Sequence, residues 1–291
     1  MSEVESWTLH ASTYLHLPEQ PVRLWLKDPQ PESSRPHTHD FSEIAIVLRG
    51  TGRHVLEDES WPISAGDVFV LQGDRPHDYV ETCDLVLANL LFCPEHLGPA
   101  FAPLRELPGF HTLFVLEPDY RSRHDFRSRL RLTQRQLARV TSLIESIRQE
   151  ELAQAPGGYQ VVVHLFMILV IELCRYYERS EDPDAAALVR MGRVIRYIES
   201  HYREQIHVPA MAAMAGMSEG AFHRMFRRAT LATPAKYLNN VRLRHAARLL
   251  RDTRLSVTEI AAETGFTDPN YFARRFRQSM RTSPSRYRAT G

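Results

Sequence analysis

The chain has 291 residues, 43% of them hydrophobic and 24% charged, with a formal net charge of +1. Two domains are the natural division of that length, with enough apolar material for sizeable cores. Its cysteines, Cys83, Cys93 and Cys174, are odd in number and widely spaced, which excludes a disulfide-stapled fold and a cysteine zinc site and points to a reducing compartment.

The near-zero net charge hides a split. Residues 190–291 hold 18 Arg and one Lys against 7 acidic residues, a net +12, whereas residues 1–189 hold 17 basic against 28 acidic residues, a net −11. A basic module joined to an acidic one suits a polyanionic partner. The start, Met1-Ser-Glu-Val-Glu5, lacks the basic and apolar regions of a signal peptide. The most apolar run, 161–173, includes His164 and Glu172 and falls short of the roughly 20 residues that span a bilayer. A soluble, cytoplasmic protein with no membrane segment is expected.

In chain order, the first pattern is β. Runs 43–49, 52–56, 68–71 and 85–92 are rich in strand formers and punctuated by Gly50, Gly52, Gly66, Gly73, Pro62 and Pro76. Regular short strands with glycine turns predict a barrel or sandwich over about 14–92. The proline-rich passage 94–118 is expected to wrap it.

Within this region, His37-Thr-His39-Asp-Phe-Ser-Glu43 precedes Gly50, and Gly66-Asp-Val-Phe69 leads on to His77. Alternate strand residues share a face, so His37, His39 and Glu43 can enter one cavity. With His77 they would suit Zn, Ni, Mn or Fe with room for water. The other reading is that these groups hydrogen-bond a small ligand, or each other, without metal. Arg35, Arg53 and Trp61 are further candidate ligand contacts, against a plainer reading as surface arginines and a packing tryptophan. The pattern resembles the two cupin motifs, with Gln72, Asp74 and Glu81 where cupins usually have Pro, Gly and Asn.

The period then changes. Leu137, Val140, Ile144 and Ile147 form one helical stripe over 136–151. Ala155-Pro-Gly-Gly158 breaks it, and a second helix over 159–178 is apolar nearly all round, so it must be buried. It either lies on the barrel alone or also forms a dimer seam with its neighbour. Ser180-Glu-Asp-Pro-Asp184 reads as a polar linker.

The C-terminal region repeats itself. Gly216-Met-Ser-Glu-Gly-Ala-Phe222-His-Arg224-Met-Phe226 returns as Gly265-Phe-Thr-Asp-Pro-Asn-Tyr-Phe272-Ala-Arg274-Arg-Phe276, and Thr233-Pro234-x-x-Tyr237 as Ser283-Pro284-x-x-Tyr287. Each copy predicts a short helix (208–215, 257–264), a glycine turn with φ > 0, and a helix capped by Ser218 or Thr267. The Phe pairs, four apart, pack inward. The other face offers Gly220, His223, Arg224 and Arg227 in the first copy and Asn270, Ala273, Arg274 and Arg277 in the second. Arginine suits guanine and asparagine suits adenine in the major groove. An amphipathic helix over 235–252 joins the copies, with Leu238, Val241, Leu243, Ala247 and Leu250 inward and Arg242, Arg244, Arg248 and Arg251 at the surface.

Arg242-Leu-x-x-Ala-x-x-Leu-Leu250, Ile260-Ala-x-x-x-Gly-Phe266, Tyr271-Phe-x-Arg-x-Phe276 and Pro284-Ser-x-Tyr-Arg288 resemble the AraC/XylS family signature. The resemblance implies a seven-helix module with two helix-turn-helix units, in which Gly220, His223, Arg224, Pro269, Asn270, Ala273 and Arg274 face bases. It also implies RNA polymerase as a partner. Leu231 and Met280 stand where the family usually has glycine, so those helix ends must turn differently or bear strain. In the first module, Pro36-His-x-His-Asp-Phe-x-Glu-Ile44, Val47-x-x-Gly-x-Gly52 and Gly66-Asp-Val-Phe69 most resemble the sugar-responsive branch, including the rhamnose regulators.

The expected fold is α+β with two domains. A cupin-like effector-sensing barrel spans 1–132, a helical pair for dimerisation 133–180, a linker 181–189, and a double helix-turn-helix module 190–291. The expected function is a sugar- or metabolite-responsive transcription regulator of the activator type, a homodimer on double-stranded promoter DNA. The alternative is a metal-dependent cupin enzyme, an isomerase or dioxygenase, carrying a DNA-binding module.

Overall fold

Two long strands organise the N-terminal half. β4 (Ser42–Leu56) and β7 (His77–Phe92) pair antiparallel from Ser42↔Phe92 to Leu56↔His77. β4 carries β6 (Asp67–Gln72) along one stretch and β5 (Glu59–Ser64) along the next. β7 carries β2 (Val22–Lys27) and β3 (His37–His39), and the short strands β1 (Trp7–Leu9) and β8 (Leu130–Arg131) complete the sheet beside β3 and β6. The computed structural model describes residues 7–30, 36–56, 59–72, 75–116 and 130–290. The chain forms two compact units, Met1–Gly192 and Arg193–Gly291.

The two predicted runs 43–49 and 52–56 are one strand. Gly50 adopts φ +78 within a stretch of register shifts between Val47 and Arg53, so it makes an irregularity inside the strand rather than a turn. A Cβ there would lie 2.1 Å from the Asp84 carbonyl oxygen, which no side chain tolerates. The run 85–92 likewise extends back to His77, because the polar stretch 77–84 pairs with the second half of β4.

Both faces of this sheet are buried, which is why its strands read as near-continuous apolar runs. Ala45, Val47, Ile63, Phe69, Leu71, Tyr79, Leu85 and Leu87 fill the interior face. Ile44, Ile46, Val68, Val70, Ala88, Leu90 and Phe92 pack with the helices. Those helices are α3 (Gln134–Ala153) and α4 (Gly158–Glu178), after two single turns, α1 (Ala11–Tyr14) and α2 (Pro108–His111). Thr133 and Gln136 close a capping box at the start of α3. The predicted stripe is buried at Val140, Ile144 and Ile147, and Leu137 is partly buried.

Helix α4 buries Val162, Phe166, Leu169, Val170, Leu173, Cys174 and Tyr177 in the same core. Its 21 residues include a window of mean hydropathy 1.6, long and apolar enough to cross a membrane. This corrects the shorter apolar run counted from sequence, and the packed face identifies α4 as a core helix. Its outer face leaves Val161 and Ile168 exposed at 42% and 41%.

The passage predicted as 94–118 forms helical turns from Pro94 to Leu116, with Phe101, Leu104, Phe110, Leu113 and Phe114 packed into this core. Residues 117 and 118 lie outside the described residues. Gly109 sits so close to α4 that a Cβ would be 2.2 Å from the Cys174 carbonyl oxygen, and its N–H donates to Glu178 at 3.0 Å.

The predicted linker 181–189 is largely helix. Asp182 accepts the Ala185 N–H at 3.0 Å, and α5 runs Pro183–Ser200. Asp-Pro here is an N-cap and first helical position rather than a loop. The boundary between the units falls at Gly192, inside this helix.

The C-terminal unit holds α6 (Val208–Met214), α7 (Glu219–Thr230), α8 (Pro234–Asp252), α9 (Val257–Glu263), α10 (Pro269–Met280) and α11 (Pro284–Thr290). Gly216 and Gly265 take φ +65 and +82 as the turns require. Ser218 caps α7, but Asp268, not Thr267, caps α10. The left-handed helix ends fall at Leu231 and Arg281, both at φ +58, so the strained second position is one residue past Met280.

Gly109→Ala drives a methyl into the backbone of α4. It should lower the stability of the N-terminal unit by about 1–3 kcal/mol, as overpacking does. Denaturant unfolding of the full chain measures this, and an unchanged midpoint would contradict the close approach.

Candidate functional site

Strand alternation places Glu43, Ala45 and Val47 on the interior face of β4, and His39 and His77 arrive from β3 and β7. One ligand atom each from His39, Glu43 and His77 lie within 4.8 Å of one another, and all three residues are buried. His39 Nδ1 lies 2.7 Å from the Phe41 carbonyl and His77 Nδ1 3.3 Å from the Arg75 carbonyl. A carbonyl only accepts, so both Nδ1 atoms carry the proton and both Nε2 atoms present lone pairs. Those two Nε2 atoms and Glu43 Oε1 are buried without a hydrogen-bond partner among the described residues. His39 Nε2 stands 3.8 Å from Glu43 Oε2.

Burial alone pushes the Glu43 carboxyl up to about 8. Burial also pulls His39 down to about 4 and His77 well below the usual histidine range, so both imidazoles are neutral. A carboxyl raised that far holds its proton near neutral pH, and ionising it would leave three convergent acceptors without a donor, which is costly in a low-dielectric interior. A cation relieves that cost, and backbone-oriented imidazoles with one carboxylate fit Zn or a similar divalent transition metal.

His37 does not join this set. It lies opposite His77 in the ladder, half-buried, its ring 4.3 Å from that of His77 and 6.2 Å from Trp7. Of the four candidate ligands the structure thus brings three together and leaves His37 at the edge. Burial lowers its affinity for a proton as well. Trp61 is buried and stacks on His54 at 6.0 Å. Arg53 is corrected: alternation turns it away from His54, and it bonds Ser60 at 2.6 Å and faces exposed Glu81 at 3.9 Å. Arg35 lies outside the described residues.

Two interior groups escaped the sequence reading. His54 is fully buried, its ring 4.8 Å from Phe69, 5.2 Å from Tyr79 and 6.0 Å from His77. Asn89 pairs with Ala45 in the ladder, one step from Glu43 and Leu91, and its Oδ1 is buried without a hydrogen-bond partner among the described residues. The signal for both was alternation: His54 shares the inward face with Gly52 and Leu56, and Asn89 is a polar residue inside a buried apolar strand. A separate cavity of about 770 Å³ lies between β2 and the α3–α4 turn. Its Tyr159 hydroxyl and Glu151 carboxylate accept the Val22 and Leu24 N–H groups, both at 2.9 Å. Those groups serve to cap an edge strand.

In the C-terminal unit, Phe222 and Phe226 are fully buried with rings 5.4 Å apart, and Phe272 and Phe276 likewise at 5.7 Å. This fixes the rotation of α7 and α10. Gly220, His223, Arg224 and Arg227 of α7 are exposed, as are Pro269, Asn270, Arg274 and Arg277 of α10, and Ala273 is half-buried. Arg242 is corrected from the surface set. Half-buried, it donates to the Tyr202 and Glu204 carbonyls at 2.7 and 2.8 Å, with its guanidinium 5.7 Å from the Phe266 ring. Arg288 similarly donates to the Leu250 and Leu255 carbonyls. Both arginines tie the module together.

A family profile described as an AraC-like ligand binding domain matches residues 22–155, and a helix-turn-helix domain profile matches 211–290. The HTH-type transcriptional activators RhaR of Escherichia coli (strain K12) and of Shigella dysenteriae serotype 1 (strain Sd197) are each 31% identical over 253 residues, 87% of this chain and 86% of theirs. The crystal structure of the DNA-binding domain of AdpA in complex with a target DNA is 36% identical over 35% of this chain and 91% of that one, with a TM-score of 0.34. The family profiles and the RhaR activators favour a regulator over the cupin enzyme. The chain belongs to the AraC family of transcription regulators, in the branch of the RhaR activators.

Proposed function

We propose that the protein is a cytoplasmic transcription activator that reads promoter DNA with α7 and α10 and senses a sugar or similar polar metabolite inside its barrel. The observation that carries the DNA reading is the pair of exposed polar faces set by buried phenylalanines. Gly220, His223, Arg224 and Arg227 face one major-groove segment, and Pro269, Asn270, Ala273, Arg274 and Arg277 the next. Arg274 reads guanine bidentately and Asn270 reads adenine. RNA polymerase is the partner that activation requires.

His39, Glu43 and His77 would hold a divalent metal, which would supply a Lewis-acidic centre for the hydroxyls of the effector. His37, His54, Trp61 and Asn89 line the remainder: the rings offer stacking surfaces and Asn89 a hydrogen-bonding amide. The exposed Val161 and Ile168 of α4 form the seam of a homodimer. The effector acts by its different affinity for two arrangements of the chain.

Arg274→Ala should weaken binding to a specific site by about 1–3 kcal/mol while leaving random duplex DNA nearly unaffected. A gel-shift series with equal loss on both duplexes would remove Arg274 from base reading. Metal-stripped full-length protein should take up one equivalent of Zn(II) in a calorimetric titration. Glu43→Gln and His77→Ala should abolish that uptake, and His37→Ala should keep it. Uptake that survives Glu43→Gln would place the ion elsewhere.

A further inference from the structure

The two reading helices differ in how they hold their arginines. Arg224 and Arg274 occupy equivalent positions of the repeat, as do Ala221 and Tyr271. In α10 the Arg274 guanidinium lies 5.5 Å from the centre of the Tyr271 ring. That ring is itself held: its hydroxyl accepts from Asn239 Nδ2 of α8 at 3.3 Å, and buried Phe266 lies 6.2 Å away. In α7, Ala221 provides no such platform. Arg224 instead leans back along the helix, one Nη 3.6 Å from the place of a Cβ on Gly220.

We infer that Tyr271, fixed by Asn239 on the connecting helix, is a specificity-determining positioning residue that presents the Arg274 guanidinium to DNA. The inference rests on the reading of bases by Arg274 proposed above. Arginine gains discrimination through a planar, bidentate fork. A long side chain loses entropy when that fork is held in one pose, and stacking on an aromatic ring removes part of that cost before DNA arrives. Tyr271 is 36% exposed, so its ring is not a core plug whose loss would open a cavity. Through Asn239 the connecting helix sets the pose of the second reader, whereas the first reader remains adaptable. The second unit is therefore the stringent reader and the first the tolerant one.

The test uses full-length protein and two probes: a duplex selected from a randomised pool by the unaltered protein, and a random duplex. Tyr271→Leu should weaken binding to the selected duplex about threefold to fivefold, the size of an exposed cation–π contact, and leave the random duplex unchanged. Tyr271→Phe, which keeps the ring, should restore most of the affinity. In an Arg274→Ala background Tyr271→Leu should have no further effect, because its action passes through that guanidinium. Equal loss on both probes, or a Tyr271→Leu effect that persists without Arg274, overturns the positioning role. Should Tyr271→Leu unfold the module by circular dichroism, Asn239→Ala carries the test. A smaller but still selective loss supports the relay, and unchanged selectivity overturns it. If Arg274→Ala itself shows no selective loss, base reading fails; if it does and Tyr271→Leu is inert, only the positioning role fails.

Discussion

Burial of two phenylalanines per helix is the constraint on which the DNA-facing half depends. Phe222 with Phe226 and Phe272 with Phe276 lock each helix about its own axis. Side chains four apart on a helix share a face, so fixing that face inward fixes the opposite face outward. Nothing else is needed to expose Arg224 and Arg274 together with their neighbours. The turns before these helices follow from the same packing, with Gly216 and Gly265 in the left-handed region and side-chain caps at Ser218 and Asp268. Arg242 and Arg288 show that basic charge in this module has two uses. Some arginines satisfy loop carbonyls that would otherwise lack donors, and the exposed remainder is available to a polyanion.

The N-terminal half depends on the matching constraint of period two. Once Ala45, Val47, Leu85 and Leu87 are inside, Glu43 and Asn89 must be inside too. Burial of Glu43 beside His39 and His77 is what shifts the protonation of these three groups and brings their ligand atoms together. A protein whose only task was stability would not keep such a cluster, because an apolar core of equal volume is at least as stable. The cluster is therefore the place we propose for ligand binding in this unit.

Much of this was legible in the sequence because periodicity was strong. The helices at 136–151 and 159–178 emerged within two residues at each end, since the apolar stripe and the Ala155–Gly158 break mark them. The repeat placed α7 and α10 directly. What escaped was decided by tertiary contact. Gly50 looked like a turn, but the partner strand carries the chain through it. Asp182-Pro183 looked like a linker, but a polar-proline pair is also how a helix begins. Arg242 looked like surface charge until the loop at 202–204 supplied its acceptors. His37 matched a motif, but its side chain sits beside the cluster rather than in it. His54 and Asn89 lie inside the predicted runs 52–56 and 85–92, and only the alternation of faces along β4 and β7 shows that they point inward.

Two helices of one module reading DNA side by side leave a footprint of known geometry. Hydroxyl-radical footprinting of the full-length protein on a duplex it has selected tests this most directly. Two protected segments on one face of the duplex, about one helical turn or roughly 34 Å apart, are predicted for each module. A single protected segment per module would contradict the account.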